Sequence, residues 1–471
     1  MRKSKILCTM GPSSNSVATI KEMIHAGMNI ARLNMAHGEL EDHQQIISHI
    51  RQAASECNAI IPILLDIKGP EVRIGKLKDP SCELIEGEQI VVTTEQILGD
   101  SKRISISYID LPKVIHPGSR ILINDGLLEL RVISMKDTEI YCTIISGGTL
   151  KPRKGVNLPG ITTTLPGVTE KDLRHIQFGI DNHIDIIAVS FVRKGEDIVE
   201  VRRILEENFA AHVQIISKIE NEEGVSKLDE IIQVSDGIMV ARGDLGVEIP
   251  VEDVPIVQID IINKCNLAGK PVIVATHMLE SMQINPRPTR AEVSDVANAV
   301  LQGADVLMLS GETAAGKYPV QSIATMATVA LKAENMFDYH ECFTRISTLQ
   351  TTSITEIISQ AVVSSSLDLN AKAIITPTES GFTARMVAKY RPKSQIIAIT
   401  PHDHILMKLC LLRGVVPIKG IKATSTDEMF ESSIHSAITA DLIQDGDYVV
   451  ISAGVPIGKS GATNLMKIHQ L

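Results

Sequence analysis

The sequence has 471 residues, of which 44% are hydrophobic, and this length predicts about three folded domains with sizeable cores. Its net charge of −10, together with the absence of Trp, argues against a nucleic-acid partner. No apolar run is long enough to span a membrane and the seven Cys have no paired spacing, so we expect a cytoplasmic protein with free thiols.

Short β-branched runs alternate with amphipathic helical patterns from the first residues onwards. Runs at 5–10, 29–36 and 62–71 predict three strands. Five more apolar runs follow at 184–192, 213–220, 236–244, 270–278 and 305–313. Eight strands that all look buried, with helices between them, predict an α/β fold in the form of a parallel (β/α)₈ TIM barrel. A doubly wound open sheet is the alternative.

The helical rhythm stops for nearly a hundred residues after the third strand. Segments such as QIVVTTEQ, RISISY and EIYCTII are short and separated by turn residues, which predicts an inserted all-β domain. A linker near 345–360 leads into further α/β patterns. The predicted domains are a barrel in two parts, 1–71 and 161–345, an inserted β-barrel lid domain, 72–160, and a C-terminal α/β regulatory domain, 350–471.

Charged residues cluster where the fifth and sixth barrel strands end, on the face where barrels of this kind carry their active sites. Lys218 and Glu220 are two residues apart, so both side chains point the same way, and Asp244 ends the next strand. Two carboxylates from adjacent strands can bind Mg²⁺, and the lysine can neutralise a phosphoryl group in transfer. A buried Lys–Glu pair without chemistry is the alternative.

Other strand ends carry polar residues that suit an anionic substrate. Gly243 and Asp244 precede a short helix, where backbone N–H groups can hold an anion, although a simple tight turn is the alternative. Thr276 offers a hydroxyl. Arg32 and Arg73 are candidate phosphate ligands, because a guanidinium supplies paired donors, and a surface or salt-bridge residue is the alternative for each.

Strings in register across the chain carry a resemblance to a known family. They include CTMGPSS at 8–14, ARLNMAHG at 31–38, LLDIKGPEVRIG at 64–75, SKIENEEG at 217–224, MVARGDLGVEIP at 239–250 and MLSGETAAGKYP at 308–319. Together they closely resemble pyruvate kinase. The resemblance implies transfer of a phosphoryl group from phosphoenolpyruvate to ADP, the last step of glycolysis, with Mg²⁺ or Mn²⁺ and usually K⁺ as cofactors.

The resemblance also implies a role for each matching residue. Lys218, Thr276 and Arg32 would be catalytic, with Lys218 stabilising the transferring phosphoryl group and Arg32 binding the phosphate. Gly243, Asp244 and Thr276 would hold the carboxylate and enolate end, and Thr276 with ordered water would relay a proton. The implied nucleotide-binding residues are Asn34, His37, Arg73 and Lys154.

Two metal sites follow from the same resemblance. Glu220 and Asp244 would bind the divalent cation. The implied K⁺ ligands are the side chains of Asn34 and Asp66 and the backbone carbonyl of Ile67, where the family commonly has Thr. The family's usual NFSHG reads NMAHG in this chain, so Ala36 replaces a hydroxyl that commonly helps to coordinate K⁺.

The family's C-terminal domain carries an allosteric phosphate-effector site, and the family is usually a homotetramer. TPTESGFTAR at 376–385 has the hydroxyl-rich composition of a phosphate-binding loop. Phe382 stands where relatives that respond to fructose bisphosphate often have Lys, which argues for a sugar monophosphate or a nucleoside monophosphate instead; a turn without a ligand is the alternative. The candidate effector ligands are Thr378, Ser380, Gly381 and Thr383.

Two other functions compete with this interpretation. A Mg²⁺-dependent lyase or mutase acting on phosphoenolpyruvate-like acids would not need ADP, and the inserted lid domain with Arg73 and Lys154 argues against it. A sensor of phosphometabolites without activity would be expected to lack Lys218, Glu220 or Asp244, and all three are present.

Because Ala36 removes one hydroxyl ligand while Asn34 and Asp66 remain, we expect a monovalent site that binds K⁺ more weakly than is usual in the family. Glu71 is the residue type associated with K⁺ dependence, whereas a Lys there would supply the cation itself. The rate measured against K⁺ concentration at constant ionic strength tests this expectation. Full activity with no monovalent cation present would contradict it.

Overall fold

The computed structural model describes residues 1–348, 353–456 and 461–471. The first part of the barrel consists of β1 (Lys5–Thr9), α1 (Val17–Ala26), β2 (Ile30–Asn34), α2 (Leu40–Glu56) and β3 (Ile63–Ile67). Helix α1 begins after Ser16, whose hydroxyl accepts a hydrogen bond from the Thr19 amide, and ends at Gly27, whose φ of 118° suits glycine. The limits of the first helix therefore follow from its capping residues.

An all-β insertion follows β3. Its elements are β4 (Val72–Arg73), β5 (Cys82–Leu84), β6 (Gln89–Thr93), β7 (Arg103–Ser105), α3 (Leu111–Val114), β8 (Arg120–Ile123), β9 (Leu128–Lys136), β10 (Glu139–Ser146), β11 (Gly148–Leu150) and β12 (Gly155–Asn157). Seven strands form a sheet in the order β4-β12-β8-β9-β10-β6-β7, while β5 pairs with β11. The insertion has its own apolar core, and we call it the lid domain. Its predicted limits at 72 and 160 remain predictions.

The barrel then resumes. Its elements are α4 (Glu170–Asp181), β13 (Ile186–Val189), α5 (Gly195–Glu207), β14 (Gln214–Ile219), α6 (Glu222–Ser226), α7 (Leu228–Val234), β15 (Gly237–Ala241), α8 (Arg242–Glu248), α9 (Val254–Ala268), β16 (Val272–Ala275), a 3₁₀ helix (Glu280–Gln283), α10 (Arg290–Gln302), β17 (Val306–Leu309), α11 (Gly311–Ala314) and α12 (Pro319–Asn335).

Eight parallel strands close into a barrel in the order β1-β17-β16-β15-β14-β13-β3-β2. Each lies within one of the eight runs that the sequence predicts, so the barrel is confirmed and the open doubly wound sheet was wrong. The strands are buried on both faces because one set of side chains fills the barrel and the other packs under the helices. All eight carboxyl ends consequently meet at one mouth.

The chain leaves the barrel for the lid domain at Gly69. A Cβ at this position would lie 2.6 Å from the Ser190 carbonyl oxygen, and the φ of 69° is unfavourable for other residues, so glycine is required. The Gly69 amide donates to Asp172 Oδ1 at 3.1 Å, and Asp172 also completes the capping box of α4 with Thr169. The first turn of α4, through Asp172, therefore fixes the backbone at Gly69, where the chain enters the lid domain.

A C-terminal α/β domain follows the barrel. Its elements are α13 (Tyr339–Ser347), α14 (Ile354–Asp368), β18 (Ala373–Pro377), α15 (Phe382–Lys389), β19 (Gln395–Thr400), α16 (Asp403–Leu409), β20 (Val415–Lys419), α17 (Thr426–Thr439), β21 (Tyr448–Ala453) and β22 (Leu465–Gln470). The sheet order is β20-β19-β18-β21-β22, with β22 antiparallel to β21. The predicted start at residue 350 lies outside the described residues. No helix in the described ranges combines the length and the apolar character needed to cross a lipid bilayer.

A buried ion pair joins the C-terminal domain to the barrel. Arg391, which follows α15, places Nη1 2.6 Å from Oδ1 of Asp305, and Nη2 3.0 Å from Oδ2. Asp305 immediately precedes β17, and its Oδ2 also accepts a hydrogen bond from the Val272 amide at the start of β16. Leu411 packs into the cluster that fills the barrel. The amino end of the barrel is thus closed by the C-terminal domain.

Replacing Arg391 with Met should lower the free energy of unfolding by about 3–5 kcal/mol, because the buried Asp305 carboxylate would lose its counter-charge. Urea unfolding of the whole chain measures this loss. The matched control is Lys21→Met, which breaks an ion pair with Glu56 on the exposed surface and should change little. Equal losses in the two variants would contradict the importance of the buried pair.

Candidate active site

Four charged side chains form a buried chain at the barrel mouth, and none is more than 8% exposed. Arg32 Nε on β2 lies 2.7 Å from Asp66 Oδ2 on β3. Lys218 Nζ on β14 lies 3.3 Å from Asp66 Oδ1 and 2.9 Å from Glu220 Oε1. Parallel pairing aligns the strand ends, so residues far apart in sequence become neighbours.

The opposite charges in this row of four side chains stabilise one another. Burial opposes the charged form of Asp66, but Lys218 and Arg32 outweigh it, so the pKa of this carboxyl is lowered. Burial likewise opposes a charged Lys218, yet Asp66 and Glu220 raise the pKa of its ammonium group above the ordinary value. Lys218 is therefore held as a buried cation between two carboxyl groups.

Glu220 and Asp244 place two carboxylates side by side. Burial raises the pKa of Glu220 to about 7, and repulsion from Asp244 adds to the effect, whereas Lys218 opposes it. Within the described residues the Asp244 carboxylate makes no side-chain hydrogen bond or ion pair. Among the same residues, no group of three or more His, Cys, Asp and Glu side chains is arranged to hold a metal ion. The pair therefore suits a divalent cation that takes its other ligands from substrate and water.

Thr276 lies directly after β16 in a strained turn. Its φ of 65° is rare for a β-branched residue. The Thr276 hydroxyl oxygen accepts a hydrogen bond from the Gly243 amide at 2.8 Å, and Arg242 Nη2 donates to the Thr276 carbonyl at 2.6 Å. Arg242 is itself held by Asp295 at 2.7 Å. Contacts from α8 and α10 thus keep the hydroxyl beside the Gly243 turn.

Two hydroxyl residues belong to the barrel mouth although sequence reasoning did not single them out. Ser190, one residue after β13, accepts a hydrogen bond from Lys218 Nζ at 2.7 Å. Thr9, the last residue of β1, accepts one from Arg32 Nη1 at 2.8 Å. The available signal was position alone, because each is a polar residue at the end of an apolar strand.

The predicted K⁺ ligands follow β2 and β3. Strand pairing sets Asn34 opposite Asp66, and Ile67 is the buried last residue of β3. The Asn34 side-chain oxygen accepts a hydrogen bond from the Ala36 amide at 3.1 Å. His37 lies in the same turn, with its amide 3.3 Å from the Asn34 carbonyl oxygen. These residues border the buried chain on the β2 side.

Arg73 and Lys154 lie in the lid domain, outside the buried chain. Arg73 pairs with Gly155 between β4 and β12, which puts Lys154 next to the same strand pair. Arg73 Nη2 forms an ion pair with Glu71 at 2.7 Å, and Nη1 donates to the Arg153 carbonyl at 2.7 Å. The two nucleotide candidates are therefore carried by the lid domain, while Asn34 and His37 are carried by the barrel.

A cavity of 460 Å³ separates the lid domain from the barrel. Asp244 and Glu222 line it on the barrel side, and Val72, Gly155 and Asn157 line it on the lid side. Its position next to Asp244 connects it to the carboxylate pair. The site is consequently a cleft with one fixed wall and one wall carried by a separate domain.

The predicted effector loop joins β18 to α15. Thr378, Ser380 and Thr383 line a second cavity of 60 Å³, whereas Gly381 acts through its backbone, donating to Thr378 Oγ1 at 3.0 Å. Glu379 lines the same cavity, and its Oε2 lies 2.7 Å from His402 Nε2. The loop thus offers hydroxyl donors together with one carboxylate.

Replacing Thr276 with Val should lower the free energy of unfolding by about 1–3 kcal/mol, because the Gly243 amide would lose its acceptor. The β-branched side chain and the strained backbone conformation would both be kept. Thr276→Ser keeps the hydroxyl and is the control. Urea unfolding of the ligand-free protein compares the two. A Val variant as stable as the Ser variant would mean that this hydrogen bond contributes nothing.

Comparison with known proteins assigns the family. The model "Pyruvate kinase, barrel domain" matches residues 1–323 and "Pyruvate kinase, alpha/beta domain" matches 356–469. The pyruvate kinases of Geobacillus stearothermophilus and Sporosarcina psychrophila are 49% and 50% identical over 99% and 100% of this chain and 80% of theirs. A solved pyruvate kinase from Cryptosporidium parvum superposes with a TM-score of 0.95 at 42% identity, covering 100% of this chain and 96% of the other. The chain therefore belongs to the pyruvate kinase family.

Proposed function

We propose that this protein transfers the phosphoryl group of phosphoenolpyruvate to ADP, giving pyruvate and ATP. Family membership supports the reaction. The observation that carries the proposal at the level of residues is the buried, permanently charged Lys218, held between Asp66 and Glu220 beside the unpaired carboxylate of Asp244. Phosphoryl transfer depends chiefly on such fixed charges and on positioning.

Lys218 and Arg32 supply the positive charge around the phosphoryl group in this proposal. Both cations are preorganised by Asp66, so neither has to reorient when the phosphoryl group moves. The Gly243 turn and Thr276 receive the carboxylate and enolate end, as their mutual hydrogen bond supports. A β-phosphate oxygen of ADP forms a bond to phosphorus as the P–O bond to the enolate oxygen breaks. The enolate then takes up one proton at carbon through a water that the Thr276 hydroxyl orients, and bulk solvent returns a proton to that water.

Glu220 and Asp244 would hold the divalent cation, Mg²⁺ or Mn²⁺. Carboxylate oxygens suit these hard cations, and two protein ligands leave room for substrate oxygens and water. A bound divalent cation would offset negative charge on the transferring group. Asn34, Asp66 and the Ile67 carbonyl are the proposed K⁺ ligands, with affinity weakened by Ala36.

ADP would enter from the side of β2 and of the lid domain. Asn34 and His37 on the barrel and Arg73 and Lys154 on the lid domain are the proposed nucleotide ligands. Arg73 already forms an ion pair with Glu71, so we expect its guanidinium to exchange that partner for a phosphate. The divided placement supports a second substrate that bridges both domains.

A phosphorylated effector and a homotetramer complete the proposal, in a cytoplasmic enzyme. Thr378, Ser380, Gly381 and Thr383 are the proposed effector ligands, and the nearby Glu379 carboxylate favours a monophosphate over a bisphosphate. Exposed apolar residues on α9, among them Ile256, and the position of β22 as the last strand of the described sheet support contacts with further copies of this chain.

Incubation with phosphoenolpyruvate, ADP, Mg²⁺ and K⁺ should produce pyruvate and ATP in equal amounts. Coupled assays of each product measure the ratio. Pyruvate without ATP would instead support a lyase or a phosphatase.

Lys218→Met should retain metal and substrate binding but lose about 10²–10³-fold or more in kcat, because the fixed charge at the phosphoryl group is gone. Initial-rate kinetics measure kcat and KM separately. Lys171→Met, which removes an exposed lysine of α4, is the matched control and should leave both unchanged. Near-normal turnover in Lys218→Met would refute its assigned role.

A further inference from the structure

Helix α8 faces two parts of the protein. Its first turn carries Gly243 and Asp244, which belong to the barrel mouth, and its last residues, Val247 and Glu248, face the lid domain. Because a helix of this length is a rigid unit, a contact at its last turn also fixes the position of its first turn. A contact with the lid domain that fixes the position of Glu248 therefore also helps to fix the position of Asp244.

The lid domain contacts the end of α8 through Glu248. Asn157, the last residue of β12, donates from Nδ2 to Glu248 Oε1 at 2.8 Å, and the Leu158 amide faces the same carboxylate and lowers its pKa. The turn between β8 and β9 lies close to the same helix end, since a Cβ added to Gly126 would lie 3.5 Å from Val247 Cγ1. Glu248 thus accepts one hydrogen bond from the lid and faces a second lid donor.

These contacts lie at the edge of the cleft. Asn157, Leu158 and Glu248 all line the 460 Å³ cavity, so moving the lid domain away from the barrel would separate both lid donors from Glu248 and open the cavity to solvent. Glu248 also lies near Glu222 and Asp244, whose negative charges raise its pKa together with burial. Donors from the lid are what offset this crowding of carboxylates.

The lid strand that Glu248 holds is the one that carries the nucleotide candidates. Asn157 ends β12, Gly155 in the same strand pairs with Arg73 of β4, and Lys154 directly precedes β12. A continuous series of contacts therefore connects Asp244, through α8 and Glu248, to the strand pair that carries Arg73 and Lys154. It is a direct structural connection between the two walls of the cleft.

We propose that Glu248 is a positioning residue that latches the lid domain onto α8, and so sets the distance between the Arg73–Lys154 strand pair and the carboxylates of the barrel mouth. The latch itself rests on contacts within this chain. Its kinetic consequence rests on the proposed function, because only a second substrate held by the lid domain would sense it.

Glu248→Ala should free the lid without removing a residue of the barrel mouth. Deuterium exchange of the backbone amides in 153–165 should become faster on the order of tenfold, because hydrogen bonds to a charged acceptor are lost. The matched control is Glu252→Ala, an exposed carboxylate just beyond α8, which should exchange like the parent protein. Parent-like exchange in Glu248→Ala would overturn the latch whether or not the protein is a kinase.

A reversed pair separates a latch from a general structural role. Asn157→Asp alone sets two carboxylates against each other, and Glu248→Gln alone replaces one carboxylate oxygen with an NH₂ group that cannot accept from the two lid donors. Combined, N157D/E248Q restores the side-chain hydrogen bond with its direction reversed, since the introduced glutamine would donate to the introduced aspartate while its oxygen still faces the Leu158 amide. Protection in the double variant should return to within about twofold of the parent; protection no better than in the worse single variant would refute the pairing.

Steady-state kinetics provide the second readout. Glu248→Ala and Asn157→Asp should raise KM for ADP on the order of tenfold with a much smaller change in KM for phosphoenolpyruvate, and N157D/E248Q should recover most of the loss. Equal rises in both KM values, with unchanged unfolding midpoints, would place the effect outside the lid and overturn the proposed specificity. An inactive parent protein would refute the proposed function while leaving the exchange experiment decisive for the latch.

Discussion

The carboxylate of Asp66 is the contact on which the barrel mouth depends. It accepts hydrogen bonds from both Arg32 and Lys218, two cations that would otherwise repel each other in a buried setting. Glu220 adds a second carboxyl group, which contacts Lys218 on its other side. Asp244 then adds one negative charge without a partner among the described residues. The mouth is therefore prepared for a phosphate on one side and a cation on the other.

Hydrogen bonds between neighbouring strand ends hold the barrel side of the cleft in place. Thr276 keeps an unfavourable backbone conformation because Arg242 and the Gly243 amide hold it from two directions. Glu312, which is buried, accepts hydrogen bonds from the Leu279 and Ser310 amides and ties the ends of the last two barrel strands together. The lid domain is connected to the barrel by two chain crossings and contacts the end of α8 through Glu248.

Much of the fold could be predicted from the sequence because buried parallel strands are continuous apolar runs. All eight barrel strands lie within such runs. The lid domain was harder. Its strands β5 and β11 have three residues each, too few to show an alternating pattern, and α3 is a single turn. Short elements of this kind are set by pairing with distant partners rather than by local sequence.

The residues of the candidate site likewise fall into those that local sequence could join and those that only the fold brings together. Lys218 and Glu220 could be joined from sequence because their spacing places them on one face of a strand. Ser190 and Thr9 could not, because a hydroxyl at a strand end is common and only the closed barrel brings them to Lys218 and Arg32. Family resemblance named the nucleotide residues, but not that Arg73 lies in an ion pair or that Glu248 links the two walls.

The closure of the barrel's amino end has a consequence for how the chain is made. Asp305 leaves the ribosome well before Arg391, and Leu411 follows later still, so a barrel finished at β17 has neither the counter-charge for this carboxylate nor the cover for its apolar end. We expect nascent chains that stop short of α15 to hold β16 and β17 loosely and to need protection from aggregation. The C-terminal domain thereby also completes the folding of the barrel.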